Sequence, residues 1–329
     1  MSLRFPGFCD LQVNGFAGVD FNTPGASVEQ IGLALAAMRA TGVTRCLPTL
    51  ITAPFDRYAA CARALVACEE AAIAGLHLEG PYISPEDGVR GAHPRAAVLA
   101  PSIEDFCRRQ DAAEGSIRLV TLAPEMPGAL ALIEYLVGRG LRVAIGHTAA
   151  TGAEIRDAIR AGATLSTHLG NGCPQLMHRH DNVIWEQLAA DELTAGVIVD
   201  GHHLPPAVVK SFLRAKGPGR VILVTDAMAA AAAPPGRYRI GWLEVEVGAD
   251  GCVRQPGAPN LAGSALTMDA AVGNTARFGG LAIEAVLPLA SSAPARYLGI
   301  EPAGEVTAEW DPAACRLTIR EVREGALPA

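Results

Sequence analysis

Polar side chains that can bind a metal or carry a proton stand at the ends of short apolar segments. Glu79 ends the segment LHLE, His147 follows VAIG, His168 follows LST, and Asp226 follows ILVT. One carboxylate and two imidazoles, with a fourth position open to water, are the donor set of a catalytic zinc site. A metal so held lowers the pKa of water toward ~7. A nearby carboxylate can then take a proton and hand it to a departing amine. The pattern predicts metal-assisted hydrolysis.

The elements that must position these residues are strands that alternate with helices. Ala-, Leu- and Arg-rich stretches of helical period lie between eight apolar segments, as at Val28–Ala40, Ala129–Gly138 and Pro206–Ala215. Alternating buried strands and helices predict a parallel sheet. Eight such units favour an α/β fold of the (β/α)8 TIM-barrel type over an open sheet. The predicted strands are Phe8–Asn14, Val43–Thr49, Gly75–Glu79, Ile117–Ala123, Arg142–Gly146, Thr164–His168, Gly196–Asp200 and Val221–Asp226.

The barrel brings the polar residues together, because the C-terminal ends of its strands converge on one face, where active sites sit. Gln12 and Asn14 join this set at the end of the first strand. Each residue alone is more simply explained as a cap or turn former. Their recurrence at the same end of several strands favours a functional site.

The chain after the eighth strand carries the predicted appendages. Residues 236–256 alternate polar and apolar side chains around a Gly-Ala-Asp-Gly turn, which predicts an inserted β-hairpin. We expect helices over about 267–278 and 283–297 and terminal strands over about 305–322. A single domain, residues 1–329, is the simplest description.

Composition excludes several classes of function. The 329 residues are 50% hydrophobic and 19% charged, with a formal net charge of −7. We therefore expect no nucleic-acid or membrane-surface partner, and no apolar run reaches the ~18 residues of a membrane span. The eight cysteines form no C-x-x-C pair, so we expect reduced thiols and a cytoplasmic protein. No G-x-G-x-x-G follows an early strand, which argues against an NAD-dependent oxidoreductase.

Motifs through most of the chain resemble the amidohydrolase superfamily, in particular its N-acetylglucosamine-6-phosphate deacetylases. HLEGP, GHT, THLxN and VTDA occur in that order and spacing, which is a specific signal. The matching segments are PGFCDLQVNG (6–15), GLHLEGPYIS (75–84), RGAHP (90–94), IGHTAAT (145–151), THLGNGCP (167–174), DGHHL (200–204), LVTDAM (223–228) and LAGSALTMDAAVGN (261–274).

The resemblance implies a role for each candidate metal-binding or catalytic residue. Glu79, His147 and His168 correspond to the metal ligands, Asp226 to the catalytic acid and base, and His93 to the histidine that contacts the substrate acetamide and stabilises its oxyanion. The implied reaction is hydrolysis of the acetamide of an N-acetylated amino sugar, with N-acetylglucosamine 6-phosphate giving glucosamine 6-phosphate and acetate.

The resemblance also implies one divalent metal ion, either Zn or one of Fe, Co and Mn, which the same donors suit. Many superfamily members hold two metals with H-x-H on the first strand and a carboxylated lysine. Here Gln12 and Asn14 replace the histidines, and the first of only two lysines is Lys210. Both facts favour a single metal.

The phosphate end of the substrate has its own implied contacts. Asn171 and Gly172 match a loop that contacts the phosphate, and Arg179 and His203 match the phosphate-binding Arg and His. The planar fork of an arginine suits a phosphate. Some of these contacts come from a neighbouring subunit in the family, which implies a homodimer.

Several features leave alternatives open. The family's N-terminal β-sandwich is absent or reduced, and LMHRHDNVIWEQL (176–188) replaces a Gly/Pro/Ala-rich loop that shapes the substrate pocket. Two alternatives to the implied reaction follow. The chain is an amide hydrolase or deaminase with another substrate, or it is a metal- or sugar-binding relative without turnover. We interpret His77 as a core histidine, and His178, His180 and His202 as loop residues.

Overall fold

The chain folds into strands and helices that alternate through its first two thirds. A computed structural model describes residues 1–217, 219–257 and 261–323. The strands in these ranges are β1 (Ser2–Pro6), β2 (Phe8–Val13), β3 (Gly15–Phe16), β4 (Val19–Asp20), β5 (Val43–Ile51), β6 (Leu76–Glu79), β7 (Ile117–Leu122), β8 (Arg142–Ile145), β9 (Leu165–Ser166), β10 (Thr194–Val197), β11 (Val221–Leu223), β12 (Gly236–Ile240), β13 (Leu243–Val247), β14 (Val253–Arg254), β15 (Glu305–Asp311) and β16 (Arg316–Arg323).

Helices follow most of the central strands. The α-helices in the described ranges are α1 (Val28–Ala40), α2 (Phe55–Val66), α3 (Ile103–Ala112), α4 (Ala129–Gly138), α5 (Gly152–Ala161), α6 (Val183–Ala189), α7 (Pro206–Lys216), α8 (Met268–Gly279), α9 (Ile283–Ala290) and α10 (Ser292–Leu298). Local chemistry sets several of their ends. α1 begins at a capping box of Ser27 and Gln30, and α5 begins at one of Thr151 and Glu154. α5 ends at Gly162, whose φ of 113° suits glycine.

Eight parallel strands form the predicted barrel. They pair in the order β2-β5-β6-β7-β8-β9-β10-β11. The first and last strands meet at the C-terminal rim, where Asn14 N donates to Ala227 O (2.6 Å) and Asp226 N donates to Gln12 O (2.9 Å). The strands are almost wholly buried, since the helices cover the outside of the sheet. The predicted fold class is therefore confirmed.

Strand lengths differ from the predicted ones at the C-terminal rim. The sixth barrel strand, predicted as Thr164–His168, is only Leu165–Ser166, and the eighth ends at Leu223 rather than Asp226. The reason is that the chain turns at the functional residues: φ is +50° at His147, +28° at His168 and +48° at Asp226. A non-glycine residue in this region leaves the extended conformation and ends the strand.

The segment after the barrel forms a small separate sheet. It has three antiparallel strands, β12, β13 and β14, where the sequence predicted one hairpin. The first turn lies between Ile240 and Leu243, and the Gly-Ala-Asp-Gly turn at 248–251 joins the second pair. The turn after Ile240 is anchored to the end of β4, because Gly241 N donates to Asp20 Oδ2 (2.8 Å).

The two ends of the described chain form one antiparallel sheet in the order β1-β15-β16. The sequence predicted the two C-terminal strands of this sheet and missed β1. The Met1 ammonium donates to Trp310 O (2.7 Å), a pairing across 309 positions that local periodicity does not reveal. Among the described helices, none is long and apolar enough to cross a membrane.

Candidate metal and active site

Three potential ligand atoms meet at the C-terminal rim of the barrel. Glu79 Oε1 lies 3.1 Å from His168 Nε2 and 3.3 Å from His147 Nε2, and the two Nε2 atoms are 3.2 Å apart. All three residues are buried. They are the one group in the described part of the chain whose His, Cys, Asp and Glu atoms converge as metal ligands would. The predicted ligand set is thus brought together.

The spacing of these atoms fits a single metal ion. Ligands ~2.0–2.1 Å from a tetrahedral zinc are separated from each other by roughly 3.3 Å, and the three separations here are 3.1–3.3 Å. His147 Nδ1 donates to Val89 O (3.0 Å), which leaves the Nε2 lone pair directed at the cluster. A backbone acceptor on the remote ring nitrogen is a common way to orient a ligating histidine.

The amide side chains at the end of the first strand donate hydrogen bonds to the two carboxylates of the site. Gln12 Nε2 donates to Glu79 Oε1 (2.8 Å), and Asn14 Nδ2 donates to Asp226 Oδ1 (2.7 Å). Both amides therefore present N–H groups toward the site, where the H-x-H pattern would present lone pairs. This arrangement suits one metal rather than two.

The two carboxylates of the site differ in their tendency to hold a proton. Burial disfavours ionisation of Glu79, but its close contacts with the imidazoles of His147 and His168 hold its pKa well below the usual value. Burial raises the pKa of Asp226 to about 6, and the charge of Glu79 adds to the rise while His168 and His203 oppose it. The site therefore contains one carboxylate whose pKa is lowered and one whose pKa is raised.

His93 lies beside the three ligand atoms. Its Nε2 is 3.9 Å from Glu79 Oε2, and its ring centroid is 4.3 Å from that of His147. Burial lowers the pKa of His93 well below its usual value. A neutral imidazole is thus placed where it can meet a carbonyl group at the metal.

A cavity of about 450 Å³ opens above these residues. Of the predicted substrate contacts, Asn171, Gly172 and His203 line it. His203 Nδ1 pairs with Asp200 Oδ2 (2.6 Å), which leaves Nε2 as the free ring nitrogen. Arg179 is exposed and does not line the cavity within one chain; its carbonyl accepts a hydrogen bond from Trp185 Nε1.

The remaining histidines stand as interpreted from the sequence. His77 is buried between Thr49 Oγ1 (3.3 Å) and Thr121 Oγ1 (2.7 Å), and burial lowers its pKa to about 4. It is a neutral core residue. The other three, His178, His180 and His202, lie exposed in loops.

Sequence reasoning missed several parts of the site. Thr52, which contacts His93, and Val89, whose carbonyl orients His147, were not predicted. Thr52 follows the second barrel strand, so the same rule of polar residues at strand ends identifies it. Ile240 lines the cavity from the small sheet, and nothing in its local sequence marks it.

The chain is similar to several known proteins. A family model described as "Amidohydrolase family" matches residues 3–314. The human N-acetylglucosamine-6-phosphate deacetylase is 38% identical, with 90% of this chain and 74% of that protein aligned. An N-acetylgalactosamine-6-phosphate deacetylase of Escherichia coli O157:H7 is 36% identical, over 91% of this chain and 79% of that protein.

A solved structure gives the same result at the level of the fold. A Mycobacterium smegmatis N-acetyl-D-glucosamine-6-phosphate deacetylase variant, in complex with N-acetyl-D-glucosamine-6-phosphate, is 34% identical and has a TM-score of 0.88. The match covers 97% of this chain and 86% of that one.

Proposed function

The chain belongs to the amidohydrolase family of hydrolytic enzymes, and we propose that it removes the acetyl group from an N-acetylated amino sugar 6-phosphate. The substrate we assign first is N-acetylglucosamine 6-phosphate, with glucosamine 6-phosphate and acetate as products. The observation that carries the proposal is the convergence of Glu79, His147 and His168 on one point beneath the cavity that Asp226 also lines.

Glu79, His147 and His168 would hold the divalent metal that the family and this cluster indicate. When bound, such an ion supplies a Lewis acid for the acetamide carbonyl and lowers the pKa of water at the site. We propose zinc, because two imidazoles and one carboxylate are a frequent catalytic zinc set; Fe, Co and Mn accept the same donors.

Asp226 would move the proton during hydrolysis. Water adds to the acetamide carbon and the C–N bond breaks, so one proton of that water must reach the departing amine nitrogen. Asp226 takes this proton and delivers it. Asn14 Nδ2 holds Oδ1 of Asp226 at 2.7 Å, which leaves Oδ2 to exchange the proton.

His93 would stabilise the charge that develops on the acetamide oxygen. A hydrogen-bond donor aimed at this oxygen lowers the barrier more than it strengthens substrate binding, because the negative charge grows in the transition state. The buried, neutral ring beside the ligand cluster is placed for this role.

We propose that Asn171, Gly172 and His203 bind the sugar phosphate within one chain, and that Arg179 contributes in a homodimer. Arg179 lies on a segment that borders the cavity through other residues. The same segment carries Leu176, which is 94% exposed, and the exposed Trp185. Two large exposed apolar side chains on one segment favour a subunit contact more than a single one would. Arg179→Ala should weaken binding of the phosphorylated sugar alone, and an unchanged KM in a dimeric enzyme would contradict the assignment.

A cytoplasmic location is proposed on the cysteines. All eight are free thiols, and several are buried in the core. Free cysteines of this number are typical of a reducing compartment.

The experiment that tests the function is release of the free amine from defined substrates. We expect turnover of N-acetylglucosamine 6-phosphate with one metal ion per chain, and much weaker turnover of unphosphorylated N-acetylglucosamine. The galactosamine isomer is the second candidate, favoured by the 36% identity to the Escherichia coli N-acetylgalactosamine-6-phosphate deacetylase. Preference for a cyclic amide or an aminopurine over both sugars would overturn the proposal.

A further inference from the structure

Thr52 contacts His93 through both of its polar groups. Its backbone N–H donates to His93 Nδ1 at 3.3 Å, and its hydroxyl Oγ1 is 2.8 Å from the same nitrogen. Both residues are buried. Two groups of one residue therefore meet a single ring nitrogen away from bulk water.

Two contacts of Thr52 together favour a lone pair on Nδ1 and a proton on Nε2. The backbone N–H, at 3.3 Å, can only donate, so it favours a lone pair on Nδ1. The Thr52 hydroxyl can donate to the same lone pair, and within the described residues it has no other hydrogen-bond partner. A proton on Nδ1 would point at the amide proton and leave the hydroxyl proton without an acceptor.

Gly80 leaves the space that the Thr52 hydroxyl occupies. Gly80 follows the ligand Glu79, and a Cβ built on Gly80 would lie 2.1 Å from Thr52 Oγ1. The hydroxyl thus packs against a bare Cα with φ at +77°. Glycine at this position makes room for the contact between Thr52 and His93.

The opposite ring nitrogen faces the ligand cluster. His93 Nε2 is 3.9 Å from Glu79 Oε2, which is beyond hydrogen-bond distance. A proton on Nε2 is therefore free to be donated to a molecule in the cavity. A ring with the other tautomer would turn a lone pair toward a carbonyl oxygen and repel it.

We propose that Thr52 is a positioning residue that keeps the neutral His93 ring in the tautomer with its proton on Nε2, so that His93 enters the reaction as a hydrogen-bond donor. The identity of the acceptor, the acetamide oxygen, rests on the proposed function. The tautomer itself does not.

The tautomer is read directly by NMR of the zinc-loaded enzyme with ¹⁵N-labelled histidine, with His93→Gln used to assign the ring signals. We expect Nδ1 of His93 to be pyridine-like and Nε2 to be pyrrole-like in the wild type and in Thr52→Ser. In Thr52→Val, which keeps the shape and the amide but lacks the hydroxyl, we expect the two signals to move toward each other. A pyrrole-like Nδ1 in the wild type would overturn the proposal.

Kinetics of the same variants supply the second readout. We expect Thr52→Val to lower kcat about 10-fold with KM changed less than about two-fold, because the donor acts on the transition state. Thr52→Ser should restore most of kcat. Thr49→Val is the control, because Thr49 lies on the strand that precedes Thr52 and its hydroxyl contacts the core His77 instead of His93. Equal losses of kcat in Thr52→Val and Thr49→Val, or none in Thr52→Val, would contradict the role. An enzyme inactive on every amino sugar would refute the proposed function while leaving the NMR result intact.

Discussion

Thr225 Oγ1 donates a hydrogen bond to Asp10 Oδ2, and this bond joins the segment directly after the last barrel strand to the first strand. Asp10 Oδ1 also accepts from the backbone amides of Gln12 and Thr225, both at 3.2 Å. The carboxylate is wholly buried. It therefore closes the barrel immediately below Gln12 and Asp226, which both take part in the site.

Asp10 should make the stability of the fold depend on pH. Burial raises its pKa from 3.8 to about 7, and hydrogen bonds from Thr225 and Gln12 only partly oppose the rise. Because the native state holds this proton more tightly, its contribution to stability is full below pH ~4 and is lost as pH rises through ~7. The free energy of unfolding should fall by roughly 2–3 kcal/mol from pH 5 to pH 8 through this group.

Asp10→Asn should remove that part of the pH dependence. Urea unfolding of the wild type and the variant at pH 5, 6, 7 and 8 measures it. Asp157→Asn is the control, since Asp157 lies on the surface in a pair with Arg160. The same slope in Asp10→Asn and the wild type would show that Asp10 is ionised throughout this range.

Asp226→Asn should abolish turnover without removing the metal. The amide cannot accept and return a proton, and general acid–base catalysis is worth about 10²–10⁴-fold in rate. Asp226 is absent from the convergent ligand atoms, so the metal content should stay near one per chain. Steady-state kinetics with metal analysis of the same sample test both statements, and retained activity would exclude Asp226 as the proton carrier.

Gly172→Ala should weaken metal binding without altering any ligand. A Cβ on Gly172 would lie 2.8 Å from His147 Nδ1, and φ is +57° there. The ring must then move or lose its bond to Val89 O. We expect the metal dissociation constant to rise about 10–100-fold, as when the support of a ligating histidine is lost.

The matched control for this variant is Gly115→Ala. Gly115 has φ at +77° but no atom within 4 Å of a built Cβ, so it carries the backbone strain alone. Chelator competition gives the two dissociation constants. Similar values in both variants would mean that contact with His147 has no effect on metal binding.

Lys216→Met should destabilise the protein while leaving kcat unchanged. Lys216 is 1% exposed, and its Nζ donates to Gln187 O, Ala190 O and Leu193 O at 2.5–2.9 Å. Methionine fills the space but removes three buried hydrogen bonds to carbonyl oxygens, a loss of about 3 kcal/mol in unfolding free energy. Lys210→Met, the same change at the other lysine, should cost far less. Urea unfolding measures both, and equal losses would show that the three bonds contribute nothing.

The sequence predicted the reactive residues of the site better than the residues that orient them. Glu79, His147, His168 and Asp226 were found because parallel strands end at one rim, a rule that needs no knowledge of packing. The contacts of His93 with Thr52 and of His147 with Val89 depend on how loops fold back, which local pattern does not contain. Arg179 shows the converse: its motif matches, but the fold of one chain leaves it exposed.

The lengths of the strands were predicted less well for a related reason. Residues with a preference for strands, such as threonine, continue past the point where hydrogen bonding to the next strand stops, so Thr164–His168 was predicted as one strand. Backbone conformation at His168 decides the end, and a histidine at φ +28° has no signature in composition or period. The pairing of β1 with β15 was missed because it joins opposite ends of the chain.

The left-handed backbone at His147, His168 and Asp226 marks the boundary between the reactive groups of the rim and the loops that follow them. Each reactive side chain lies two or three residues beyond the end of its barrel strand, and the residues that follow it form a connecting loop. Exchanging the outer parts of those loops would change which molecule is accepted while the reactive groups stay in place. An engineer seeking new acylated amines to hydrolyse should therefore graft segments from these loops and keep Gly172, whose lack of a Cβ makes room for the His147 ring.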